Sequence, residues 1–163
     1  MTSEEKATAL LKEFGDLISI GQLSFNEDQN CPLIYNDNIY LSISFDPESD
    51  TMVLSAYVAH YPQHNIETVL KTVLEANYFW LGTMGATLAI DSESGRLALM
   101  SRIQLDNLDV STFHMNIQTF VESVEAWMEM ISTTETDTSA LLSPQNDRQL
   151  ARNTTQMNLR DHV

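Results

Sequence analysis

A single cysteine, Cys31, is all the thiol in this 163-residue chain, so no intrachain disulfide can form and a disulfide-stapled secreted scaffold is excluded. Cationic charge is nearly as scarce: eight Lys and Arg face twenty-three Asp and Glu, for a formal net charge of −15. Such a surface repels a phosphate backbone and an anionic membrane alike. With no basic stripe to override it, nucleic acid is not expected as a partner. No apolar run approaches the roughly 20 residues that would cross a bilayer. The opening Met-Thr-Ser-Glu-Glu-Lys has no apolar core, so neither a secretory signal nor membrane insertion is expected, and a reducing cytoplasm fits.

Catalytic and metal-binding patterns are missing as well. His60 and His64 have the four-residue spacing of a helical metal pair, but Pro62 between them makes the segment a turn. His114 and Cys31 stand far from both in sequence. The acidic run Asp91-Ser92-Glu93-Ser94-Gly95 resembles a calcium loop until its sixth and twelfth positions, where Gly and a carboxylate are needed and Arg96 and Arg102 stand. Gly82-Thr83-Met84-Gly85 has neither the spacing nor the lysine of a phosphate loop, no Gly-x-Ser-x-Gly elbow occurs, and Cys31 precedes a proline. No catalytic residue, metal or cofactor is therefore expected, and the chain is read as a non-enzyme.

What the chain does contain is regular. Thr2 and Glu5 have capping-box spacing, and Ala7, Leu10, Leu11, Phe14, Leu17 and Ile18 recur at three- and four-residue intervals, which predicts an amphipathic first helix weakened at Gly15 and ended near Gly21. A short strand is expected at Gln22 to Phe25. Leu33-Ile34-Tyr35 and Ile39 to Phe45 then flank Asn36-Asp37-Asn38 as a hairpin. In its second strand Ile39, Leu41, Ile43 and Phe45 share one face, and Tyr40, Ser42 and Ser44 the other. Met52 to Ala59 is apolar on both faces, which suits a central strand. Asn65 is positioned to cap a helix from Ile66 to about Asn77, with Ile66, Val69, Leu70, Val73 and Leu74 as its stripe.

After Gly82 and Gly85, Ala86 to Ile90 reads as a strand, and the turn at Gly95 returns Arg96 to Ile103 against it. Asp109 or Ser111 caps a last helix whose apolar residues, from Phe113 to Ile131, keep helical period for five turns. The order α-β-β-β-α-β-β-α predicts an α+β fold with helices packed on a mainly antiparallel twisted sheet. Residues 1–131 form one domain on this reading. Residues 132–163, rich in Thr, Ser, Asp, Asn and Gln, read as a polar, mostly disordered tail in which Leu141-Leu142 and Leu150 to Leu159 have the makings of a short partner-bound helix.

Large apolar side chains exceed what three helices and a sheet need. Tyr40 sits on the polar face of its strand, and one helix face cannot hide Tyr78, Phe79 and Trp80 together. Core packing explains the helix stripes, whereas these aromatics point to interfaces.

Leu74-Glu75-Ala76-Asn77, the Gly82 and Gly85 pair leading into Ala86-Thr87-Leu88, the Asp91 to Arg96 turn before Leu97 and Leu99, and Leu105-Asp106 ahead of a helix carrying Trp127 together resemble the class I chaperones of bacterial type III secretion, the Tir chaperone family. The resemblance runs from about Glu5 to Ile131. It implies a homodimer, with Val69, Val73, Phe79, Trp80 and Met84 at the isologous interface. It further implies that the N-terminal region of a secreted effector is held in extended form over Leu11, Phe14, Ile18, Leu33, Tyr35 and Tyr40, by groove packing and strand addition, without ATP. The implied setting is the cytoplasm of a Gram-negative bacterium, with an export-machinery ATPase as a further partner. A same-fold regulator that sequesters a small controller of secretion-gene transcription stays open as an alternative, and a small acidic enzyme as a distant one.

Overall fold

A computed structural model describes residues 1–141, with side chains described through Thr134. Helix α1 spans Ser3–Leu17, strands β1, β2 and β3 span Asn30–Tyr35, Ile39–Asp46 and Thr51–His60, and helix α2 spans Ile66–Asn77. A short 3-10 turn at Tyr78–Trp80 leads to β4, Thr87–Asp91, then β5, Arg96–Gln104, and helix α3, Val110–Leu141. All strand pairs are antiparallel in one five-stranded sheet of order β1-β2-β3-β5-β4. This is the α+β architecture that the periodicities predict.

Local chemistry explains the boundaries. Thr2 and Glu5 close a full capping box on α1, the Thr2 Oγ1 accepting from Glu5 N–H at 3.2 Å and the Glu5 carboxylate from Thr2 N–H at 2.6 Å. Asp109 Oδ1 accepts from Thr112 N–H at 2.7 Å, which caps α3. Asn65 stands at the α2 N-cap in the left-handed region and makes no side-chain capping bond there. Two expectations are corrected. Gln22 to Phe25 forms no strand; the chain crosses there as coil, with Leu23 and Phe25 packed on the core. Helix α3 does not stop at Ile131 but runs through Ser132 to Leu141, so the expected disorder does not begin at residue 132. The Leu142 and Leu150 to Leu159 positions lie outside the described residues.

The three helices share one buried cluster with one face of the sheet. Leu10, Leu11 and Phe14 of α1 meet Ile39, Leu41, Ile43, Met52, Leu54, Leu97 and Leu99 of the strands and Phe113, Ile117 and Val124 of α3. Phe14 and Phe113 pack edge to face with centroids 5.5 Å apart, and Asn36 Nδ2 donates to Glu125 at 2.8 Å, tying the first hairpin to α3. Burial of Cys31 pushes its thiol pKa up, as suits a packing side chain rather than a nucleophile.

Gly15 is in α1 because the chain crosses it. A Cβ there would run into the Gly21 carbonyl oxygen and lie 3.0 Å from Leu23 Cγ. Gly15→Ala is therefore expected to destabilise the domain by about 1–2 kcal/mol in denaturant unfolding, because backbone overpacking outweighs the helix-propensity gain of about 1 kcal/mol.

Candidate functional site

The sheet face opposite the helices carries no helix among the described residues. Its side chains follow from the register: Ile34 lies opposite Tyr40, Pro32 opposite Ser42, Ser55 opposite Met100, and Tyr57 opposite Ala98. Together they line an open groove of ≈ 720 Å³ that crosses from edge strand β1 to β5. Its lining is mainly apolar, with the hydroxyls of Ser42 and Ser55 along the middle. Tyr40 is 69% exposed and Ile34 64%. An uncovered apolar sheet face of this kind marks an interaction surface.

One end of the groove is fixed by charge. Tyr57 OH donates to Asp91 Oδ2 at 2.8 Å, and the Arg96 guanidinium lies 4.8 Å from the centre of the Tyr57 ring. Hydrogen bonds from Ser94, then Tyr57, hold the Asp91 pKa down to about 2. Its folded pKa lies below the unfolded one, so its stabilising effect is present above the ordinary carboxylate pKa and is lost as pH falls from about 3.8 to about 2. Tyr57→Phe is expected to move the Asp91 titration upward, read by carbon-detected NMR.

The edge of β1 adjoins this groove. Asn30 C=O accepts from Asn26 N–H at 2.9 Å, while Gln29 C=O accepts from Phe45 N–H, so residues 29, 31, 33 and 35 bond to β2 and residues 30, 32 and 34 face outward. Asn26 occupies both outward groups of Asn30, with its side chain taking the Asn30 N–H at 3.0 Å. Among the described residues, the Pro32 carbonyl and both backbone groups of Ile34 have no hydrogen-bond partner. Proline is tolerated here because its missing N–H would have pointed off the edge.

The six residues expected to hold an effector are split by the fold. Leu11 and Phe14 lie in the core, Phe14 at 2% exposure. Ile18, Leu33 and Tyr35 are half-buried at the rim of the core. Tyr40 stands exposed in the groove, and Leu33 also contributes to its lining. Ile34, Tyr57 and Met100 join Tyr40 there, brought to the same face by the strand register that sets Ile34 opposite Tyr40 and Met100 opposite Ser55.

A second apolar surface surrounds the end of α2. Of the five expected interface residues, Val69 and Val73 turn inward at 4% exposure, while Phe79, Trp80 and Met84 are exposed. They are joined there by Leu74, Tyr78 and Leu81, the last at 84% exposure. The aromatic turn is anchored from behind: Trp127 Nε1 donates to Gly82 C=O at 3.1 Å and Ser123 Oγ to Thr83 C=O at 3.2 Å. Gly82 is required because a Cβ would stand 2.8 Å from Ala76 Cβ. Phe79, Trp80 and Met84 all hold positive φ, conformations costly for such residues and kept only where surrounding structure enforces them.

No group of three or more His, Cys, Asp or Glu that could hold a metal ion occurs among the described residues. No described helix is long and apolar enough to cross a membrane.

A helix-backed antiparallel sheet with one bare apolar face, an open edge and a second exposed apolar patch is a protein-binding module. Solved structures share this fold: a chain of the ExsC–ExsE complex superposes with a TM-score of 0.70 at 19% identity, covering 79% of this chain and 96% of that one. The HopA1–SchA chaperone–effector complex gives 0.68 at 22% identity, covering 78% and 96%. The Yersinia pestis type III secretion chaperone SycH, solved with a fragment of YscM2, gives 0.60 at 14%, covering 74% and 98%. The chain belongs to the Tir chaperone protein (CesT) family, whose model matches residues 9–128. The Tir chaperones of Citrobacter freundii and of Escherichia coli O157:H7 are each 28% identical to it over 120 residues, 74% of this chain and 76% of theirs.

Proposed function

We propose that the protein is a cytoplasmic chaperone of bacterial type III secretion that holds the N-terminal segment of a secreted effector in extended form. The observation that carries this reading is the continuity of the bare apolar groove with the open backbone groups of β1. An extended segment pairing with Pro32 and Ile34 as an added strand would set alternate side chains beside Ile34, and the partner chain continuing from it across the open face would cover Tyr40, Tyr57 and Met100. Backbone pairing supplies affinity without demanding one sequence, and apolar burial supplies the rest. Neither requires ATP or a catalytic residue, so binding is proposed to be nucleotide-independent. Membership in a chaperone family supports a binding role over an enzymatic one. The net charge of −15 would keep the loaded protein soluble and favour a basic segment in its partner.

The second apolar patch supports a homodimer. Leu74, Tyr78, Phe79, Trp80, Leu81 and Met84 cluster on one surface, and an isologous contact would use it twice. Contact with an export-machinery ATPase is a separate proposal for residues 142–163. Removal of residues 142–163 is expected to abolish ATPase co-purification while effector binding persists.

The docking edge is tested with the effector that co-purifies from bacteria induced for secretion. Ile34→Ala removes an apolar anchor, whereas Ile34→Pro also removes the one outward N–H that β1 offers between residues 32 and 34. The expected result by calorimetry is a loss of about 10-fold for Ile34→Ala and a further 5- to 10-fold for Ile34→Pro, since a hydrogen bond contributes about 1 kcal/mol. Equal affinities for the two variants would remove β1 from the binding site.

A further inference from the structure

The two edge strands of the sheet are finished differently. Asn77 contacts Leu88 across β4, so residues 86, 88 and 90 face outward and residues 87, 89 and 91 bond to β5. Thr83 occupies both groups of Ala86: its carbonyl accepts from Ala86 N–H at 3.1 Å, and its hydroxyl donates to the Ala86 carbonyl. Asn77, the last residue of α2, occupies both groups of Leu88. Its Oδ1 accepts from Leu88 N–H at 2.9 Å, and its Nδ2 donates to Leu88 C=O at 3.0 Å. A carboxamide offers donor and acceptor side by side, as the peptide unit of a neighbouring strand does. Among the described residues, Ile90 alone keeps both its outward groups unpartnered on this strand.

We infer that Asn77 steers strand addition: its carboxamide stands in for a neighbouring strand at Leu88, closing β4 there so that Ile90 alone stays open, and leaving β1 as the edge at which the sheet is extended. The closure of β4 stands on its own geometry; the use of β1 rests on the proposed function. Open edges invite unwanted pairing, and natural sheets block them by such devices. Without Asn77, Leu88 and Ile90 would present four consecutive backbone groups, enough for two β4 edges to pair antiparallel across copies. Asn77 lies half-buried and touches the edge through its side chain, so its replacement leaves the backbone of β4 intact. It is a positioning residue for binding rather than a contact.

The test is sedimentation velocity of the full chain over a concentration series, for wild type, Asn77→Ala and the double variant Asn77→Ala/Ile90→Pro. The expected result is at least a 10-fold rise in species larger than the wild-type assembly for Asn77→Ala. The double variant should return to the wild-type profile, because proline at an outward-facing position removes a donor without breaking the β5 ladder. A general loosening of α2 would not be rescued in this way. A wild-type profile for Asn77→Ala, with Leu88 amide exchange shown to be accelerated, would overturn the closure. If that variant does not fold, Asn77→Asp keeps the acceptor and loses the donor, and should show Leu88 N–H still protected with an intermediate rise in larger species; a wild-type profile there, with the Leu88 carbonyl released, overturns it equally. The assignment of β1 fails separately, if Ile34→Pro holds the co-purified effector as tightly as Ile34→Ala.

Discussion

Phe14→Asp is expected to unfold the domain. Phe14 is 2% exposed and packs edge to face on Phe113, so truncation alone would cost about 3–5 kcal/mol, and an unpaired carboxylate in that site costs several more. Against a total stability of 5–15 kcal/mol typical of such domains, little folded protein should remain. The checks are near-ultraviolet circular dichroism and the soluble yield. Tyr40→Asp is the contrast. Its side chain is 69% exposed, so folding should be unchanged while effector affinity falls about 30-fold or more. Position 14 thus reports on the core and position 40 on the groove, although both belong to the set the family resemblance implies for effector contact.

The second large effect is expected at the aromatic turn. Phe79→Asp with Leu81→Asp should convert the proposed dimer to monomer, weakening association by about 1000-fold or more if each side chain supplies the ~2 kcal/mol of a hot spot. Each protomer already carries a net charge of −15, and two added carboxylates at a symmetric contact are doubled across the axis. Folding should survive, because both side chains are exposed and Asp tolerates the left-handed conformation at position 79, where φ is 51°, better than Phe does. Analytical ultracentrifugation gives the dissociation constant, and thermal unfolding of the monomer separates lost association from lost fold.

These two sites show which features the sequence makes legible. Capping at Thr2 and Glu5, the alternation from Ile39 to Phe45, and the helical period from Phe113 to Ile131 depend on neighbours within one element, so each could be read from a short window. Leu11, Phe14, Val69 and Val73 could not be assigned in that way. An apolar helix stripe is the same whether it meets its own sheet or a partner, and only the packing of α1 and α2 on the strands decides. Leu74 and Ile66 stand on the same α2 stripe as Val69 and remain exposed, so one stripe serves two surfaces. Ile34 became visible only through its register opposite Tyr40. Thr- and Ser-rich residues after Ile131 look like a tail because their propensity is modest, yet they continue a helix nucleated by the well-packed turns before them. Gly15 reads as a weak point in α1 until the chain near Gly21 is seen to cross it.

The central claim is that β1 and the bare sheet face hold an extended segment of an exported protein. Amide hydrogen exchange on the chain alone and on its co-purified complex, with and without ATP, tests it most directly. The predicted result is strong slowing at Ile34 and along the outer face from β1 to β5, with matching protection confined to the partner's N-terminal segment and no change on adding ATP. Protection confined to the α1 and α3 surfaces with Ile34 exchanging freely, or a co-purifying partner that controls transcription and is never exported, would contradict the account.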